Sequence, residues 1–176
     1  MPNSPNRVQA LAALLRETGA PPRVSPDRVV RSTLYDLDYH IAIIACVFFI
    51  NADQQTDNTR IVVAHWLKIL QFIAVRPALL SDFQRWAMVR RSRNIDTWQK
   101  MPRGYLGDRT HDRTIELLVA NKILFRTTES LAGGERFNVL QAIYLEIVAK
   151  DLLKSERATL VELARVPVNR TLLRGE

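Results

Sequence analysis

Apolar positions recur three and four residues apart over most of the chain, so helix is the predicted dominant element. Residues 8–18 place Val8, Leu11, Ala12 and Leu15 at helical spacing, and Gly19, Pro21 and Pro22 close that segment. Residues 1–24 thus read as an N-terminal arm or docking helix, with an ordinary first core helix as the equal alternative, and 25–176 as one helix-rich domain. Ser25-Pro26-Asp27 has the form of a helix start, while 29–35 fits helix or strand. Asp36 or Asp38 can cap a further helix. The run 41–50 is apolar all round, and its length permits a buried helix or a central strand; two alanines favour helix. A polar loop over 51–58 is expected next. Asn58 or Thr59 then caps a helix reaching residue 75, with Ile61, Val62, His65, Ile69, Phe72 and Ile73 on its inner side. Past Pro77, residues 78–91 continue as helix with Leu79, Leu80, Phe83, Trp86, Ala87 and Val89 inward, and 92–107 is loop.

From 108 to 140 the pattern changes. Residues 108–121 read as helix with Ile115, Leu117, Leu118 and Ala120 inward, ending at Asn121 in a left-handed conformation. Residues 123–128 are rich in strand formers, Gly133-Gly134 marks a hairpin turn, and 136–140 is the returning strand. Helix, strand, turn and strand in that order form the second half of a winged helix, a unit placed at about 77–140 with the 77–91 helix in support. A long amphipathic helix over 139–163 follows. The fold class expected is mainly α with a small β-hairpin: a winged-helix-like domain with additional N- and C-terminal helices.

Composition narrows the function classes. At 47% hydrophobic and 24% charged, the 176-residue chain can bury a core without staples. The single Cys46 lies inside the apolar run and reads as a packing residue, which suits a reducing compartment. No export signal is apparent, and the run 41–50 is about half of the roughly 20 residues a membrane span needs. A cytoplasmic location without membrane contact is expected.

No constellation for catalysis stands out. His40, His65 and His111 lie on separate segments without metal-ligand spacing, and His65 falls on an apolar helix face. Asp108 and Asp112 beside His111 are explained by helix capping. Gly104-Tyr105-Leu106-Gly107 lacks the form of a phosphate-binding loop, and there is no serine nucleophile elbow. The expectation is a non-enzyme with no cofactor and no metal.

The net charge of +7 and pI near 10.1 favour acidic partners, nucleic acid first. Positive charge gathers in the middle of the chain, where Arg90, Arg91, Arg93, Lys100, Arg103, Arg109 and Arg113 are the DNA-contact candidates. Arg109 and Arg113 would sit at the start of the groove-facing helix, the others on phosphates. The loop 127–134 carries Glu129 and no Lys or Arg, which is poor for a DNA-contacting wing, so a purely protein-binding module stands beside DNA contact as a reading of this unit. Leu140, Ile143, Tyr144 and Ile147 are the partner-docking candidates on the C-terminal helix.

The run Leu70-Gln71-Phe72-Ile73-Ala74-Val75-Arg76-Pro77-Ala78-Leu79, then Trp98-Gln99-Lys100, then 112–124 with its hairpin, resembles the small middle component of bacterial ABC-three-component systems, the group that includes Lamassu-type phage defence. The likeness spans roughly residues 36–145. It implies a non-catalytic accessory subunit that binds an SMC-like ATPase and links it to an effector in an anti-phage, DNA-sensing complex, with DNA contacted without sequence preference. A free-standing winged-helix transcriptional regulator is the alternative.

Overall fold

The apolar run is a helix, α1 (Leu37–Ile50), in a computed structural model that describes residues 36–56, 59–89, 109–133 and 137–167. Asp36 caps it, its carboxylate accepting from the Asp38 amide at 2.9 Å. Every side chain from Ile43 to Phe48 is buried. A helix with no polar face has to be covered all round. Around it pack α2 (Ala64–Ala74), α4 (Thr110–Ala120), α5 (Phe137–Ala149) and α6 (Lys154–Ala164). The 3-10 turn Pro77–Leu79 and α3 (Leu80–Val89) adjoin α6, and Phe83 and Trp86 of α3 meet Trp66 of α2 in one aromatic cluster.

Four short strands form one antiparallel sheet in the order β1-β2-β4-β3: β1 (Asp53–Thr56), β2 (Thr59–Val63), β3 (Phe125–Thr127) and β4 (Ser130–Gly133). Strand β2 runs along β4 with Val62 opposite Leu131 and Val63 opposite Ser130. Taken along the chain, α1, β2, α2, α4 and the β3–β4 hairpin have the connectivity of a winged helix, its first strand paired with the second strand of the wing. The fold is mainly α with a small hairpin-based sheet, as expected. The unit, however, starts with α1 and not at residue 77, and α4 rests on α1 and α2. The described part of the segment expected in support, residues 77–89, packs as the 3-10 turn and α3 against both α2 and α6.

Five local expectations are corrected. Residues 59–63 are strand and not the first turn of a helix: Thr-Arg-Ile-Val-Val is mostly β-branched, and its partner β4 lies far away in sequence. The polar 51–58 segment, expected as loop, contributes β1. The hairpin turns at Thr128-Glu129, with Thr128 at φ 50°, and not at Gly133-Gly134; 137–140 is helix. Gly133 ends β4 beside the Phe48 ring, 3.6 Å from where a β-carbon would stand. The 139–163 helix is two helices: Asp151 and Leu153 both take left-handed φ, and the amide of Leu152 closes back on the carbonyl of Ile147. The same closing motif ends α4, but its left-handed residue is Lys122 at φ 54°. The amide of Ile123 donates to Leu118, that of Lys122 to Val119, and Asn121 stays at φ −80° with its side chain donating to the Leu117 carbonyl.

Polar groups fasten the ends of α1. Arg60 on β2 donates to the Phe48 and Phe49 carbonyls at 3.2 Å each, while its guanidinium lies over the Phe49 and Phe137 rings. Asn51 donates to the Leu160 carbonyl at 3.0 Å and ties on α6. Strand β2 thereby locks the helix end at which the sheet begins.

Two substitutions test this arrangement by chemical denaturation. Leu67→Ala, at a fully buried position of α2, should cost about 2–5 kcal/mol. Lys122→Gly should raise stability by up to about 1 kcal/mol, because a left-handed non-glycine residue is relieved, whereas Asn121→Gly should lower it by about 1 kcal/mol.

Candidate interaction surfaces

Helix α4 presents the DNA-contact candidates that the structure describes. Arg109 stands at its N-cap and Arg113 one turn on, both exposed. Between and beyond them lie exposed Asp112 and Glu116, so this face alternates in sign. Asp112 binds Lys68 of α2 at 3.2 Å. Arg126 on β3 is also exposed. A groove of about 380 Å³ opens between these elements, lined by His65, Lys68, His111, Asp112, Glu116 and Arg126 over a floor of Ile115 and Leu131. Acids and bases are balanced across it, so its field is local and directional, with little bulk attraction for a polyanion. Arg90, Arg91, Arg93, Lys100 and Arg103 lie outside the described residues.

The docking candidates are corrected. Leu140 and Ile147 are buried, and Ile143 and Tyr144 are half-buried, Tyr144 stacked on Phe49 at 4.7 Å between ring centres. These four hold α5 on α1 and are not free for a partner. The outward apolar side chains of the same helix are Leu145, 56% exposed, and Val148, 40% exposed; Leu152 follows at its end and Val161 stands on α6. The sequence did carry a signal for them. Only Asn138, Gln141 and Glu146 punctuate 137–149, too few to clothe a solvent face behind one buried stripe.

A polar cluster was not foreseen. His40 of α1, Gln71 of α2 and His111 of α4 are all buried, and the Gln71 amide bridges the two imidazoles through their Nδ1 atoms. A pocket of about 10 Å³, room for one water, adjoins them and is bordered by Lys68 and Arg76. The three residues are 31 and 40 positions apart in sequence, so no local spacing announces them.

Two reactive groups are withdrawn from solution. Burial pushes the Cys46 thiol up to about 12, with Arg157 opposing and Glu156 assisting. The Tyr39 hydroxyl is raised by burial and by its 2.7 Å hydrogen bond to Glu156. Among the described residues no group of three or more His, Cys, Asp or Glu is arranged to hold a metal, and no helix is long and apolar enough to cross a membrane.

Comparison of the chain with protein-family models, with curated proteins and with solved structures finds no match.

The state of Cys46 is checked by alkylation. At about pH 8 the native protein should resist iodoacetamide, and the same thiol should react readily once denatured, because only the thiolate attacks and its ordinary pKa is about 8.5.

Proposed function

We propose that this protein is a non-catalytic accessory subunit of the cytoplasm, a winged-helix-like adaptor that docks onto a larger partner and approaches DNA beside it. The observation that carries this reading is the outward face of α5, where Leu145 and Val148 stand exposed on a helix already anchored by its other side. Large exposed apolar side chains on a firmly packed element suit protein contact. Helix α4 adds Arg109 and Arg113 on a separate exposed face. Their interleaved acids argue for backbone contact held in place by a complex, not for tight reading of bases by the free protein. The resemblance of residues 36–145 to the middle components of ABC-three-component systems supports an SMC-like ATPase as the partner, with an effector subunit beyond it. The buried, unactivated Cys46 fits a reducing compartment.

Fluorescence anisotropy with duplex DNA separates this reading from a free-standing regulator. The isolated protein should bind weakly, without sequence preference and with steep loss on added salt. Arg109→Glu with Arg113→Glu should reduce the salt slope by about 2, one for each lost phosphate contact. Charge reversal of Arg90, Arg91 and Arg93 should abolish binding. Leu145→Asp with Val148→Asp should leave DNA affinity unchanged but prevent assembly with a co-expressed SMC-like ATPase encoded beside this gene. Preference for one duplex by about a thousandfold or more would favour the regulator and contradict the adaptor reading.

A further inference from the structure

A primary amide between two imidazoles imposes a count on protons. Gln71 offers one N–H end and one carbonyl end, and it faces Nδ1 of His40 with the first and Nδ1 of His111 with the second. His40 therefore accepts at Nδ1 and cannot carry a proton there, while His111 donates from Nδ1 and can become imidazolium by protonation at Nε2. Turning the amide over exchanges the two roles. It does not change the count: one imidazole must accept, so one must stay neutral.

We propose that His40, Gln71 and His111 form a one-proton clasp that holds α4 on α1 and α2 and loosens on acidification. The geometry spans the three helices of the winged-helix unit, one residue from each, so breaking the clasp frees the first turn of α4, where Arg109 and Arg113 stand. His111 is the end at which the proton arrives, since it also lines the open groove, whereas His40 is 2% exposed. The groups facing the pair come from every surrounding element. On α1 the Tyr39 ring meets His40 edge-on at 5.6 Å, and its hydroxyl is bound to Glu156 of α6. Lys68 and Arg76 of α2 border the small pocket shared by both histidines. In the groove, His111 is accompanied by His65 and Lys68 of α2, Asp112 and Glu116 of α4, and Arg126 of β3. Lys68 and Arg76 oppose a second positive charge, and Asp112 is already engaged by Lys68.

The sign follows from linkage. The unfolded chain takes up a proton on each histidine near the ordinary imidazole pKa of about 6.5, and the clasp admits one at most. The unfolded state binds more protons in acid, so stability is full above that pKa and is lost as pH falls. Below about pH 6, above the range in which carboxylates titrate, the unfolding constant should rise by about tenfold for each pH unit when the folded clasp takes up one proton, and by up to about a hundredfold when it takes up none.

The test is urea unfolding of the full chain between about pH 7.5 and 5.5, with His imidazole signals followed by NMR in the folded state over the same interval. The wild type should lose stability toward acid, and at most one of His40 and His111 should titrate while folded. Gln71→Glu puts an acceptor-only carboxylate between the rings, so both can donate and both can be charged; its stability should hold or increase toward acid. His65→Gln should keep the wild-type slope. A wild-type unfolding midpoint independent of pH, both imidazoles titrating near 6.5 in the folded wild type, a Gln71→Glu slope equal to wild type, or a slope that vanishes in His65→Gln would each overturn the clasp.

Discussion

Helix α1 has no polar face, and covering it on every side dictates where the other elements lie. Isolated, such a helix would expose apolar surface all round; buried, it becomes the axis on which α2, α4, α5 and α6 are laid. The few polar groups at its borders act as fasteners. Asp36 closes the start, Arg60 and Asn51 hold the end, and His40 in the first turn connects the helix to α2 and, through Gln71, to α4. Arg60, Asn51 and His40 are hydrogen-bonded across elements, so they select one arrangement of helices that hydrophobic packing alone would leave less specified.

The same arrangement leaves two faces outward. One is α4 with its alternating charges above the groove; the other is the outer side of α5 with Leu145 and Val148. They sit on different helices packed on α1, which is the arrangement the proposed adaptor role uses. The reactive groups point the other way: Cys46 is buried, Tyr39 is half-buried, and both are held in their neutral forms.

Much of the helical content was legible because it rests on local properties: the core of α4 and the inward side chains Phe83, Ile115 and Leu118 follow from spacing, and α1 from the length and alanine content of an all-round apolar run. What escaped depends on distant or rare backbone choices. Strand β2 was hidden because one of its two partners, β4, lies about 70 residues away in sequence, as the pairing of Val62 with Leu131 shows, the other, β1, is a polar segment without strand patterning, and its own apolar residues also satisfy a helical spacing. The breaks at Lys122, Thr128, Asp151 and Leu153 use left-handed residues without glycine, so the usual punctuation was missing or, at Gly133-Gly134, misleading. The side chains Leu140, Ile143, Tyr144 and Ile147, read from spacing as a docking stripe, face the core: Leu140 and Ile147 are buried and Ile143 and Tyr144 half-buried. The His40–Gln71–His111 cluster needed the tertiary fold before it existed at all.

The pairing of β2 with β4 is what turns a helical cluster into a winged-helix unit around α1, and cross-strand nuclear Overhauser effects read it directly. Contacts between the backbone of Val62 and that of Leu131, and between Val63 and Ser130, are the result this structure requires. Consecutive amide–amide contacts running unbroken from residue 59 to residue 74, the signature of one continuous helix, would contradict it.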